Sequence, residues 1–128
     1  MPEDDEGSLL RDDMIDGSRE WFQNGEPHRL DGPAIIYADG KKEWYQFGKL
    51  HRIGGPAIIY ADGAMVWLLE DKYHRLDGPA FIDDSHLEWW IFDQNITDEV
   101  NYWILENNIS SWENWTDADK LLFRMKFQ

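Results

Sequence analysis

The chain has 128 residues, 42% apolar and 15% aromatic, enough for one domain with a buried core and too much for disorder throughout. Its 26 acidic and 12 basic residues give a formal net charge of -14, which repels phosphate backbones and anionic lipid and favours basic partners. Cysteine is absent, which excludes disulfides, thiolate metal sites and a cysteine nucleophile, and no apolar run reaches the ~20 residues of a membrane span.

The first stretch, "MPEDDEGSLL", lacks the basic region of a signal peptide, so residues 1–9 read as an acidic flexible tail and the expected location is the cytoplasm. From residue 10 to 95 a period dominates. Trp21, Trp44, Trp67 and Trp90 are evenly spaced, as are His28, His51 and His74, which open "HRLDGPA", "HRIGGPA" and "HRLDGPA". Asp-Gly pairs at 16–17, 39–40 and 62–63 keep the same register. Three full units follow, 21–43, 44–66 and 67–89, with a half unit at each end.

Within a unit, Pro33 to Tyr37 is a β-branched and aromatic run, "ADG" supplies a turn, and Lys42 to Gln46 alternates polar with aromatic residues, which predicts a β-hairpin. The glycine-rich stretch from Phe47 to Gly55 is expected to be a loop leading to the next hairpin. The predicted fold is mainly β: stacked antiparallel hairpins in one twisted sheet. Residues 96–128 abandon the period and predict two helices. Val100, Trp103 and Ile104 mark the inner face of the first, and Leu121, Leu122, Met125 and Phe127 that of the second. Thr97 or Asp98 is the expected cap of the first, and Thr116 with Asp119 forms a capping box for the second.

Units marked by Trp, Gly, His and a later "ADG" resemble MORN-type repeats over about residues 10–95. The match is divergent: in "WFQNGEPHRLDGPA", Gly25 lies four residues after Trp21, one more than in the family, and Arg29 stands where the family has glycine. The "HR.DGPA" form is similar to repeats of small phage and bacterial proteins. That resemblance implies an interaction or assembly platform, here a protein-binding adaptor or a phage-encoded inhibitor of a bacterial enzyme or defence system, acting in the host cytoplasm.

Each repeated residue carries two readings. The His ladder suggests metal, but units advance by two strands, roughly 10 Å, and a shared ion needs each imidazole at ~2.0–2.1 Å. A packing role is expected instead, a ring nitrogen holding a backbone carbonyl and the ring lying against a Trp. Arg29, Arg52 and Arg75 either grip an anion or brace their turns. Asp31 and Asp77 offer the outer two a local ion pair, whereas Gly54 leaves Arg52 without one, making it the best candidate for a functional cation. The residues after each Trp, namely Phe22, Tyr45, Leu68 and Ile91, point to the opposite sheet face and form a second apolar stripe. With the Trp face read as core, that stripe and Arg52 are the expected partner-binding surface. Serines 8, 18, 85, 110 and 111 lie in no nucleophile elbow and no phosphate loop precedes a helix, so neither enzymatic activity nor a metal or cofactor is expected. The expected partner is a host protein with a basic surface, without direct nucleic-acid or membrane binding; a homodimer fits as well. Two other functions compete: a DNA mimic whose carboxylates stand in for phosphates, and a binder of a small anion beside Arg52.

Overall fold

A computed structural model describes residues 9–11 and 16–128. The acidic residues 1–8 lie outside the described residues. The fold is mainly β, with short antiparallel strands followed by two helices. In chain order the strands are β1 (Leu9–Arg11), β2 (Arg19–Gln23), β3 (Glu26–Pro27), β4 (Ile35–Ile36), β5 (Lys42–Glu43), β6 (Tyr45–Gln46), β7 (Lys49–Leu50), β8 (Ile58–Ile59), β9 (Met65–Val66), β10 (Leu68–Leu69), β11 (Lys72–Tyr73), β12 (Phe81–Ile82), β13 (Leu87–Glu88), β14 (Trp90–Ile91) and β15 (Gln94–Asn95). The helices are α1 (Thr97–Glu106) and α2 (Asp117–Phe127), with a 3-10 turn at Trp112–Asn114 between them.

A continuous antiparallel meander runs β1-β2-β4-β5-β8-β9-β12-β13, and β6-β7, β10-β11 and β14-β15 form separate two-stranded ribbons beside it. Each unit therefore folds as two hairpins, where the sequence predicted one hairpin and a loop. The segment from Phe47 to Gly55 contains β7, paired with β6 through Tyr45↔Leu50 and Gln46↔Lys49. These second hairpins close on two residues with left-handed backbone: Asn24-Gly25, Phe47-Gly48, Glu70-Asp71 and Phe92-Asp93. Two positive φ values in succession are the signature of the type I′ turn, which matches the twist of its strands and favours Asn-Gly. Only the first pair has that composition.

Trp joins the two hairpins of a unit. Trp44 donates its N–H to the carbonyl of Ala57, at the start of its own unit's meander hairpin, and accepts from His51 N through its carbonyl; Trp21 does the same with Ala34 and His28, and Trp67 with Ala80 and His74. The fourth copy is Trp89, whose carbonyl accepts from Ile96 N. The period's Trp90 is one residue out of register. The Asp-Gly turns link Tyr37 to Lys41 and Tyr60 to Ala64, but the last turn links Asp83 directly to His86 and is one residue shorter. Trp90 thus takes the place of Tyr45 and Leu68, a correspondence fixed by Arg29, Arg52 and Arg75, whose N–H groups donate to the carbonyls of Tyr45, Leu68 and Trp90. Ile91 shifts with it.

Directly opposed residues share a face, so Ile35, Glu43, Ile58, Val66, Phe81 and Glu88 form one row across the meander. That row is the inner one: Ile58, Val66 and Leu68 are buried together with Ala57, flanked by Trp44, Leu50 and Phe81. The buried Glu43 in this row is compensated, its Oε1 accepting from the Tyr37 hydroxyl (2.9 Å) and the Tyr45 hydroxyl (3.2 Å) and its Oε2 lying 3.2 Å from Lys41 Nζ. Glu88 repeats the motif with the indole N–H of Trp90 (2.9 Å) and His86 (2.7 Å). The middle unit replaces the carboxylate and its donor by Val66 and Leu68.

The helices close the end of the array. Trp89, Val100, Trp103, Trp115 and Phe123 are buried together, with Leu87, Ile91, Ile104 and Phe127 around them. Trp112 ties this cap to the third unit, covering Gly78 and facing the Arg75 guanidinium at 5.0 Å. The Thr116–Asp119 capping box forms at α2. At α1 the N-cap position is Ile96 and carries no side-chain cap, because the Thr97 hydroxyl is taken by the backbone N–H of Trp89. Val100 and Trp103 face inward as expected, but α2 buries Phe123 and leaves Leu121, Leu122 and Met125 exposed.

Candidate functional site

The second stripe expected to meet a partner is largely internal. Leu68 is 5% exposed and packs on Ile58 and Val66, so it belongs to the core; Ile91 packs against the helical cap; Phe22 and Tyr45 are half-buried. The Tyr45 hydroxyl is held inward by Glu43, and burial followed by that carboxylate raises its pKa well above the ordinary tyrosine value. The same two causes push Tyr37 up to about 12. The physical reason for the correction is the second ribbon. It folds the residue after each Trp back over the meander instead of leaving it on an open face.

The Trp rings, read from sequence as core, are half-buried and roofed by arginine. The guanidinium of Arg29 lies 3.7 Å from the Trp21 ring centroid, Arg52 4.0 Å from Trp44, and Arg75 3.9 Å from Trp67. Each arginine also donates through Nη1 to a proline carbonyl, of Pro33 (3.2 Å), Pro56 (3.0 Å) and Pro79 (3.0 Å) respectively. The glycine before each proline makes room: a Cβ on Gly55 would sit 2.7 Å from Arg52 Cζ. Arg29 and Arg75 complete their forks through Nε to Asp31 and Asp77, both at 2.9 Å.

The histidines act between units. His28 Nδ1 accepts from Phe47 N at 2.9 Å, His51 Nδ1 from Glu70 N at 3.1 Å, and His74 Nδ1 from Phe92 N at 2.9 Å. Sequence reasoning expected a carbonyl partner and a Trp contact; the ring instead accepts an amide proton, and His28 lies tilted against Phe47 (4.3 Å) while His74 stacks on Phe92 (3.9 Å). Burial holds the His74 pKa below the usual value. Among the described residues no group of three or more His, Asp or Glu is placed to hold a metal ion, and no helix is long and apolar enough to cross a membrane.

The sequence offers two readings of the helices, a cover for the sheet and a docking surface for a target protein; the cap carries a groove that its residue pattern alone did not single out. A groove of about 620 Å3 runs between α1 and the last turn of α2, lined by Tyr102, Trp103 and Phe127, with Asp98, Glu99 and Glu106 among its acidic walls and Lys126 at one side. Tyr102 is 66% and Leu105 79% exposed, and Leu121, Leu122 and Met125 extend the apolar exposure along α2. The signal was present as i, i+3, i+4 spacing of Asp98, Glu99, Tyr102 and Glu106 on one helix. Clefts also lie along the array: two flank Arg52, and a small one at the turn edge is bordered by Asp62, Asp83 and Asp84. Compared with family models, with curated proteins and with solved structures, the chain matches none.

Proposed function

We propose that this chain is a protein-binding module, an adaptor or inhibitor, that engages a partner with a basic surface through the groove between its helices. The observation that carries this reading is one aromatic-walled groove with three carboxylates and a single lysine at its margin. Apolar area supplies affinity, and the acidic rim selects and steers a basic segment. The sequence reading puts docking on an aromatic/aliphatic sheet face with an acidic rim; the burial of Leu68 and the packing of Ile91 against the cap favour the helical groove for this role instead. Within this class, the MORN-like style of the repeats favours an inhibitor of a bacterial enzyme or defence system encoded by a phage.

The DNA-mimic reading draws on the turn edge, where Asp39, Asp62 and Asp83 recur. Each of them accepts a backbone N–H two residues on, at 2.9–3.0 Å, so they are tied into turns. Recurring once per unit, roughly every 10 Å, they are also far sparser than duplex phosphate charge, one per ~1.7 Å of axis. Affinity capture with the wild type and with a Glu99→Lys, Glu106→Lys variant separates the readings. A basic protein retained by the first and lost from the second, at unchanged melting temperature, supports the groove. Equal recovery by both overturns it.

A further inference from the structure

The repeat contains its own picture of a ligand. In the first and third units the arginine Nε donates to an aspartate Oδ1 two residues on, Arg29 to Asp31 and Arg75 to Asp77, each at 2.9 Å. The middle arginine keeps the other two contacts of its ladder: it roofs Trp44 at 4.0 Å and donates Nη1 to the Pro56 carbonyl at 3.0 Å. Position 54 is glycine, and Arg52 Nε has no hydrogen-bond partner among the described residues. Gly54 has φ +87°, a left-handed conformation that Asp31 and Asp77 do not adopt. The missing carboxylate is therefore also a different path of the backbone around the open donor.

The surroundings suit a polypeptide more than a free ion. Arg52 and Ile53 form a ridge between two clefts of about 350 and 370 Å3, one reaching Trp44, Gln46 and His51, the other Trp67, Leu69 and Leu76. Ile53 is 81% exposed at the crest. Charge is complementary to an anion: Arg29–Asp31 on one side and Arg75–Asp77 on the other are neutral as pairs, which leaves the positive charge of Arg52 uncompensated in a chain of net charge -14. Guanidinium with one free edge, held rigid on an aromatic ring, is set up for a charge-assisted bond to carboxylate.

We propose that Arg52 receives an aspartate side chain from a partner polypeptide, which takes the place filled within the chain by Asp31 and Asp77, with flanking residues of that partner lying in the two clefts. This site is separate from the helical groove and does not depend on it. The direct probe is a blocked peptide, acetyl-Ala-Leu-Asp-Gly-Ala-amide, titrated into the isotopically labelled full chain while the Nε–H resonances of Arg29, Arg52 and Arg75 are followed by NMR. Expected is a saturable shift of the Arg52 signal, with Arg29 and Arg75 unmoved and binding at least tenfold weaker for the Asn peptide. Arg52→Lys, which keeps charge but loses the fork, is expected to weaken binding at least tenfold; thermal melts confirm that the variant is folded. Sodium acetate binding Arg52 as tightly as the peptide would overturn the polypeptide assignment. No Arg52 shift, or equal binding by the Arg52→Lys chain with its melt intact, would overturn the site.

Discussion

Replacing Trp89 and Trp90 in turn tests the register at the end of the array. Periodicity ranks Trp90 with Trp44 and Trp67, whereas hydrogen bonding gives that place to Trp89. Trp89 is 2% exposed and packs with Trp115, Val100 and Phe123. Truncating a buried ring of this size costs ~3–5 kcal/mol. Its indole N–H has no hydrogen-bond partner within the described residues, so removing that group returns ~1 kcal/mol and places Trp89→Ala at ~2–4 kcal/mol. Trp90 is half-buried; its loss removes a ring contact with Tyr73 at 4.7 Å and a bond to Glu88 at 2.9 Å. Together these are worth ~1–2 kcal/mol at a partly solvated site. Urea titrations at neutral pH, read by circular dichroism, give both values. A Trp90→Ala loss equal to or greater than that of Trp89→Ala would refute the shortened last unit.

Leu68→Glu places a carboxylate among Ile58 and Val66 and is expected to destabilise by ~3 kcal/mol or more in the same titration. Acid is expected to lower stability in two steps. The His74 pKa is held below its unfolded value, so the unfolded chain takes up protons first and stability falls as pH drops below about 6.5; Glu88, depressed by its bonds to His86 and Trp90, adds a further loss below about 4.5. Urea midpoints from about pH 8 down to about pH 2 should show both, and His74→Ala should remove the upper step. Gly55→Ala is expected to cost ~1–3 kcal/mol by driving Arg52 off Trp44, visible in the melt and in tryptophan fluorescence. Glu70→Asn, at a left-handed turn position with φ 48° and no ring stacked on it, is expected to raise stability by ~0.5 kcal/mol.

Much of the fold was legible because its signals are local. The Asp-Gly turns, the even Trp and His spacing and the Thr116–Asp119 box all act within a few residues. The second hairpins escaped because Phe47-Gly48, Glu70-Asp71 and Phe92-Asp93 do not look like type I′ turns; a histidine from the preceding unit holds each of them instead. The one-residue deletion near Asp84 escaped because the pair Trp89-Trp90 lets the period continue in writing while the backbone moves on by one. Leu68 was read as exposed because alternation along a strand cannot show that the strand folds over at Trp67. The same limit applies to α2, where Phe123 rather than the Leu121-Leu122 pair turns inward. Arg52 was legible as the odd member of its ladder, since only a comparison of three copies was needed.

Chemical-shift mapping of the captured partner on the labelled chain tests the proposed function most directly. The groove reading predicts that the largest changes fall on residues 98–107 and 126–127, including the indole N–H of Trp103, while Asp39, Asp62 and Asp83 at the turn edge stay put. Changes concentrated on that acidic edge, with the Trp103 indole silent, would contradict it.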